Sequence, residues 1–112
     1  MDEATFESQA EMLLARLFDE IDGALGDVLD VDLQGGILEI VVPQGGGTYV
    51  INKHAVNREI WMSSPSSGAW HFRPEINGSW LSTRGGKNAP SLTRLLSDEL
   101  AAVSHRSFSI KD

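Results

Sequence analysis

Seven carboxylates, Glu11, Asp19, Glu20, Asp22, Asp27, Asp30 and Asp32, fall in the first third of the chain. Hard oxygen ligands of this kind suit divalent cations such as Mg2+, Ca2+, Mn2+ or Fe2+, but a tight site needs several of them converging at fixed geometry. Their spacing is neither that of an EF-hand loop nor that of a helix presenting Glu-x-x-His. The pattern therefore predicts weak, multiple and unselective cation binding at a carboxylate surface. The plain alternative is a solvated helix face that keeps the chain soluble.

No constellation of nucleophile, base and orienting group stands out. Cysteine is absent, so there is no disulfide, thiolate metal site or cysteine nucleophile. The chain also lacks G-x-S-x-G, a P-loop, G-x-G-x-x-G and H-E-x-x-H. The hydroxyls of Ser63-Ser64-Pro65-Ser66-Ser67-Gly68 have no histidine and acid at a recognisable spacing, and the stretch reads as a turn. His54, His71 and His105 are far apart and belong to different expected elements, which argues against a histidine metal site.

The net charge of −7 is unevenly spread. Residues 1–40 hold eleven acids against the single base Arg16, while the other 72 residues hold five acids and eight bases. Such a field repels nucleic acid and anionic membranes and attracts cations or basic protein surfaces. No run reaches the roughly 18 consecutive apolar residues of a membrane span, and the acidic start MDEATFESQAEM is unlike a signal or transit peptide. The expectation is a soluble chain with no targeting segment. Its 112 residues suit one domain, 1–112, with a single core.

The elements that position these groups follow from periodicity. Phe6, Ala10, Leu13, Leu14, Leu17, Ile21 and Leu25 recur at spacings of three and four, predicting an amphipathic helix from Thr5 to about Leu25, capped by Asp2 or Thr5. Strand-like pieces follow at 31–33, 37–42, 48–52, 58–63, 69–73 and 79–83, joined by short Gly, Asn and Pro turns that mark hairpins. Pro90 and Ser91 open a second helix with the stripe Leu92, Leu95, Leu96, Leu100 and Val103, and the closing stretch SFSIKD is expected to lie extended over the core. The order predicts an α+β fold, a two-layer α-β sandwich with both helices on one face of a mainly antiparallel sheet of five to six strands.

Alternation then assigns sides. Tyr49, Ile51, Ile60, Met62, Trp70, Phe72 and Leu81 go toward the helices, and Asn52, Trp61, His71, Arg73 and Trp80 toward the uncovered face. Two tryptophans beside an asparagine, a histidine and an arginine form a candidate partner-binding patch, because aromatic residues and arginine are enriched where proteins dock. The structural alternative is that each indole packs as a cross-strand pair and supports the sheet. On helical geometry of 100° per residue, Glu11, Asp19 and Asp22 share an arc of about 80° opposite Leu17, with Glu20 on the other flank.

The stretch GTYVINKHAVNREIWMSSPSSGAWHF, residues 47–72, resembles the frataxin family, whose bacterial members are called CyaY. The specific pieces are Y-V-I-N-K, then I-W-x-S-S-P-x-S-G, then a tryptophan in the following strand, here Trp80. The resemblance implies an accessory role in iron-sulfur cluster biogenesis, with weak, surface-bound iron (Fe2+/Fe3+) and docking on the cysteine desulfurase and scaffold complex. By position it places ridge carboxylates at Asp19, Glu20, Asp22, Asp27, Asp30 and Asp32, and sheet contacts at Asn52, Trp61 and Trp80. Trp70-His71-Phe72 is closer to the bacterial Y-H-F pattern than to the basic residue of many mitochondrial members. The isolation of Glu11 from Asp19 implies a lower iron capacity than in some relatives. The implied compartment is the bacterial cytoplasm or the mitochondrial matrix, and the implied state is a monomer, with iron-dependent oligomers as the alternative. An iron chaperone or ferroxidase supplying Fe2+ through the same carboxylates is the competing expectation, although no converging ligand set for oxidation is visible. Without the resemblance, the residues support a compact α+β binding module.

Overall fold

In the computed structural model, which describes residues 1–111, the first helix, α1, runs from Glu3 to Leu25. Asp112, the last residue of the expected domain, lies outside the described residues. Asp2 is the cap: its Oδ1 accepts from the Thr5 amide at 2.8 Å, filling one of the donors that a helix start leaves open. At the other end the Gly26 amide donates to the Asp22 carbonyl at 2.9 Å. A Cβ on Gly26 would sit 2.4 Å from that oxygen and 2.6 Å from Asp22 Oδ1, so close approach, and not a left-handed backbone, requires glycine there.

Six strands follow: β1 (Asp30–Gln34), β2 (Ile37–Val42), β3 (Gly47–His54), β4 (Glu59–Ser64), β5 (Gly68–Pro74) and β6 (Trp80–Ser82). They pair in sequence order and antiparallel throughout, the meander that short turns dictate. The second helix, α2, spans Leu92–Ser104 and is capped by Ser91, whose Oγ accepts from the Arg94 amide at 3.2 Å. Both helices bury their apolar stripes against one face of the sheet, the expected two-layer α-β sandwich. Phe6, Leu14, Leu17 and Ile21 of α1 and Leu92, Leu96 and Leu100 of α2 share one core with Leu38, Ile40, Tyr49, Ile51, Ile60 and Phe72. Each such side chain contributes roughly 1.5–3 kcal/mol through burial, which sets the sheet as a rigid platform. The end of the chain returns over the helices: Ile110 is buried and its amide donates to Ser97 Oγ at 2.8 Å.

The expected sidedness fails at β6. Alternation places Trp80 on the uncovered face and Leu81 in the core, and the structure reverses them. The register pairs Phe72 with Ser82 and Pro74 with Trp80, so Trp80 shares the helix side with Phe72, while Leu81 lies opposite Arg73. Trp80 is 6% exposed and meets Phe6 edge-to-face at 5.9 Å, whereas Leu81 is 37% exposed. The physical reason is parity: a slip of one residue exchanges both faces, and burying the larger indole removes more apolar surface from water. The 75–79 turn sets that register, with the Glu75 amide donating to the Ser79 carbonyl and the Gly78 amide to the Glu75 carbonyl.

Candidate docking face and acidic edge

The uncovered face is built by register. Asn52 on β3, Trp61 on β4 and His71 on β5 are cross-strand partners in one row. His54, two residues beyond Asn52, reaches the same indole. The Trp61 ring is sandwiched between His54, at 3.7 Å, and His71, at 4.2 Å, with both imidazoles within 6° of parallel. His54 and His71, far apart in sequence, thus come together around Trp61, where they take opposite faces of the indole and do not converge on a common point. His54 Nδ1 is buried and has no hydrogen-bond partner among the described residues.

Under this stack lies Glu59, a residue the alternation argument passed over. It is 4% exposed. Its Oε1 accepts from Trp61 Nε1 at 2.9 Å and lies 3.7 Å from His71 Nδ1, and its Oε2 accepts from Arg73 Nε at 3.0 Å. Burial pushes the Glu59 carboxyl up. The hydrogen bonds from Trp61 and Arg73 and the charges of Arg73 and His71 outweigh it and hold the group below its ordinary value. The turn supplied a signal that could have found this residue: counting back from the 64–68 connection puts Glu59 opposite Arg73.

The expected carboxylate surface divides into engaged and unengaged groups. Glu11 receives Lys53 Nζ at 2.8 Å, a bond that raises the lysine, and Glu7 lies 3.9 Å from the same ammonium. Glu20 pairs with Arg16 at 3.6 Å and accepts the Lys111 amide at 3.1 Å. Asp27 takes both terminal nitrogens of Arg106, at 2.9 and 2.8 Å, and the hydrogen bonds from this guanidinium hold its carboxyl below the usual range. Asp19, Asp22, Asp30 and Asp32 are exposed and make no ion pair among the described residues. Among those residues no three His, Asp or Glu side chains converge as a metal-binding group.

The serine-rich turn between β4 and β5 is clamped from α2. Glu99 accepts from Tyr49 Oη at 2.9 Å, from Ser64 Oγ at 2.6 Å and from Ser67 Oγ, while Trp70 Nε1 donates to Ser67 Oγ at 2.8 Å. The acid that sequence spacing did not supply therefore arrives from the second helix. With no imidazole among these contacts, the arrangement fixes a loop and does not activate a nucleophile.

Comparisons with known proteins bear on the family and the fold. A family model described as a frataxin-like domain matches residues 1–106. The mitochondrial frataxin of Caenorhabditis elegans is 37% identical over 92 residues, which cover 78% of this chain and 68% of that protein. The mitochondrial frataxin homolog of Saccharomyces cerevisiae is 37% identical over 99 residues, 85% of this chain, and the chain spans about half of its length, 54%. A Neisseria meningitidis protein named iron-sulfur cluster assembly protein CyaY is 32% identical over 112 residues, covering 100% of this chain and 98% of its own. Among solved structures, trimeric yeast frataxin complexed with ferrous iron aligns at a TM-score of 0.75 and 34% identity, covering 88% of this chain and 87% of that one. The frataxin of Psychromonas ingrahamii aligns at 0.83 over 100% of both chains with 20% identity, a likeness of fold.

Proposed function

The chain belongs to the frataxin-like family, and on that premise we propose that it is an accessory, iron-binding protein of iron-sulfur cluster biogenesis. It docks on the cysteine desulfurase and scaffold complex through its acidic edge and the Trp61-bearing face of the sheet. The observation that carries this reading is the presence of two unlike surfaces on one sandwich. Asp19, Asp22, Asp30 and Asp32 stand exposed at the end of α1 and along edge strand β1, and Asn52, Trp61, His71 and Arg73 lie on the uncovered face. The acidic edge suits a basic surface, and the face offers the aromatic and arginine content of a docking patch. Trp80 is left out of the contact set because its indole faces the core. Iron is cargo in this scheme, held weakly and at the surface by separate carboxylates. The mitochondrial and bacterial relatives favour the matrix or the bacterial cytoplasm as its place of work.

The test is a salt titration of binding to the purified desulfurase with its scaffold. Exposed charges are screened over about 8–10 Å at physiological ionic strength, so affinity should fall steeply between about 0.05 and 0.5 M salt. Affinity that stayed flat over that range would overturn docking through the acidic edge.

The ferrous complex of a structure 34% identical to this chain favours a second reading, delivery of Fe2+ or its oxidation at the carboxylates. Changing Asp19, Asp22, Asp30 and Asp32 together to their amides separates the two when iron binding alone and desulfurase binding without iron are both measured. A loss confined to iron binding supports delivery.

A further inference from the structure

We infer that Glu59 is a positioning residue of the docking face, setting the orientation of Trp61 and tying Arg73 and His71 to it through one buried carboxylate. The inference rests on the reading that the uncovered face meets the partner. A carboxylate taken out of water is costly unless it is paired and hydrogen-bonded. Among the described residues Glu59 is satisfied from the uncovered face, at 2.9 Å from Trp61 Nε1 and 3.0 Å from Arg73 Nε. Its burial therefore organises that face and does nothing for the core behind it.

The consequence for Trp61 is definite. Both faces of its ring are taken by imidazoles and its one donor is taken by Glu59. The indole is held in one rotamer and offers a partner its outer edge, so little side-chain entropy remains to be lost on docking. Among the described residues Arg73 is anchored through Nε, and its side chain is 69% exposed, which leaves its terminal nitrogens for a partner.

Two variants test this. Glu59→Gln keeps an acceptor for the indole and removes the charge, while Glu59→Leu removes both and leaves the solvent-exposed Arg73, not a buried cation, without its partner. In the free protein, the Arg73 Nε–H resonance measured by NMR should move in Glu59→Gln, because its carboxylate acceptor becomes a neutral amide. The Trp61 indole N–H resonance should move in Glu59→Leu and that of Trp70, bonded to Ser67, should not. Affinity for the desulfurase with its scaffold should drop about threefold in Glu59→Gln and about tenfold in Glu59→Leu. Wild-type affinity in Glu59→Leu, with Trp61→Ala impaired, overturns the positioning role and leaves docking through this face intact. Wild-type affinity in Trp61→Ala overturns docking through this face itself. If Glu59→Leu does not fold, Glu59→Gln decides: an unmoved Arg73 Nε–H resonance with unchanged affinity overturns the inference.

Discussion

The acidic edge and the uncovered face of the sheet carry charge in opposite ways. At the edge, Asp19, Asp22, Asp30 and Asp32 stand apart in solvent, each without an ion-pair partner among the described residues, and Asp27 is taken by Arg106. On the face, one carboxylate is buried and three neighbouring side chains are arranged around it. Separate exposed charges act additively and yield to salt; groups sharing one buried partner act as a unit and resist it. The molecule thus has a long-range, adjustable surface and a short-range, preformed one.

The largest effect expected concerns the wall behind the face. Trp80→Ala should cost about 3–5 kcal/mol in urea unfolding, as for a core aromatic, while Trp61→Ala should cost about 1 kcal/mol and weaken partner binding by tenfold or more. Equal losses of stability in the two would erase the distinction between core and face. Next, the fourfold amide variant at Asp19, Asp22, Asp30 and Asp32 should bind the desulfurase about tenfold less tightly in low salt and converge on wild type near 0.5 M, measured by calorimetry. A deficit that persists at high salt would make the edge as cooperative as the face.

A smaller effect comes from pH. Glu59 is held below its ordinary value of 4.5 when folded, so its contribution to stability is complete above that value and is lost as pH falls through the folded one. Denaturant melts of wild type and Glu59→Gln should differ by a constant amount above about pH 5 and converge below it. Asp27 pulls with the same sign in the same range, so the difference between variants is the measure. A gap that widened in acid would contradict the buried pairing. Smallest is Glu11→Gln, which removes a solvent-exposed bond to Lys53 and should change stability by about 0.5 kcal/mol or less in the same melts.

Most of the architecture was legible because two periods govern it. The three-and-four spacing from Phe6 to Leu25 locates α1, and alternation assigns Tyr49, Ile51, Ile60, Met62, Trp70 and Phe72 to the core, where all six are buried. Trp80 was not legible because a three-residue strand with two adjacent large apolar side chains satisfies either parity. Glu59 was missed because a charged residue at a strand start reads as solvated, and only the cross-strand approach of Arg73 and the indole N–H makes its burial tolerable. The His54–Trp61–His71 stack was hidden for a related reason: it exists only when three strands are in register. The clamp on the serine turn needed α2 in place, since Glu99 lies 35 residues from Ser64.

Glu20 does double duty. It receives the amide of Lys111, whose carbonyl is in turn held by Arg16, so this acid of the ridge also fastens the returning end of the chain over the first helix. A cation captured there would compete with that fastening, loosening the strap that seats Ile110. Were a cation to bind at this position, its binding would be linked to how firmly the end of the chain is laced to the first helix, a coupling not open to Asp19 and Asp22, which make no such attachment among the described residues.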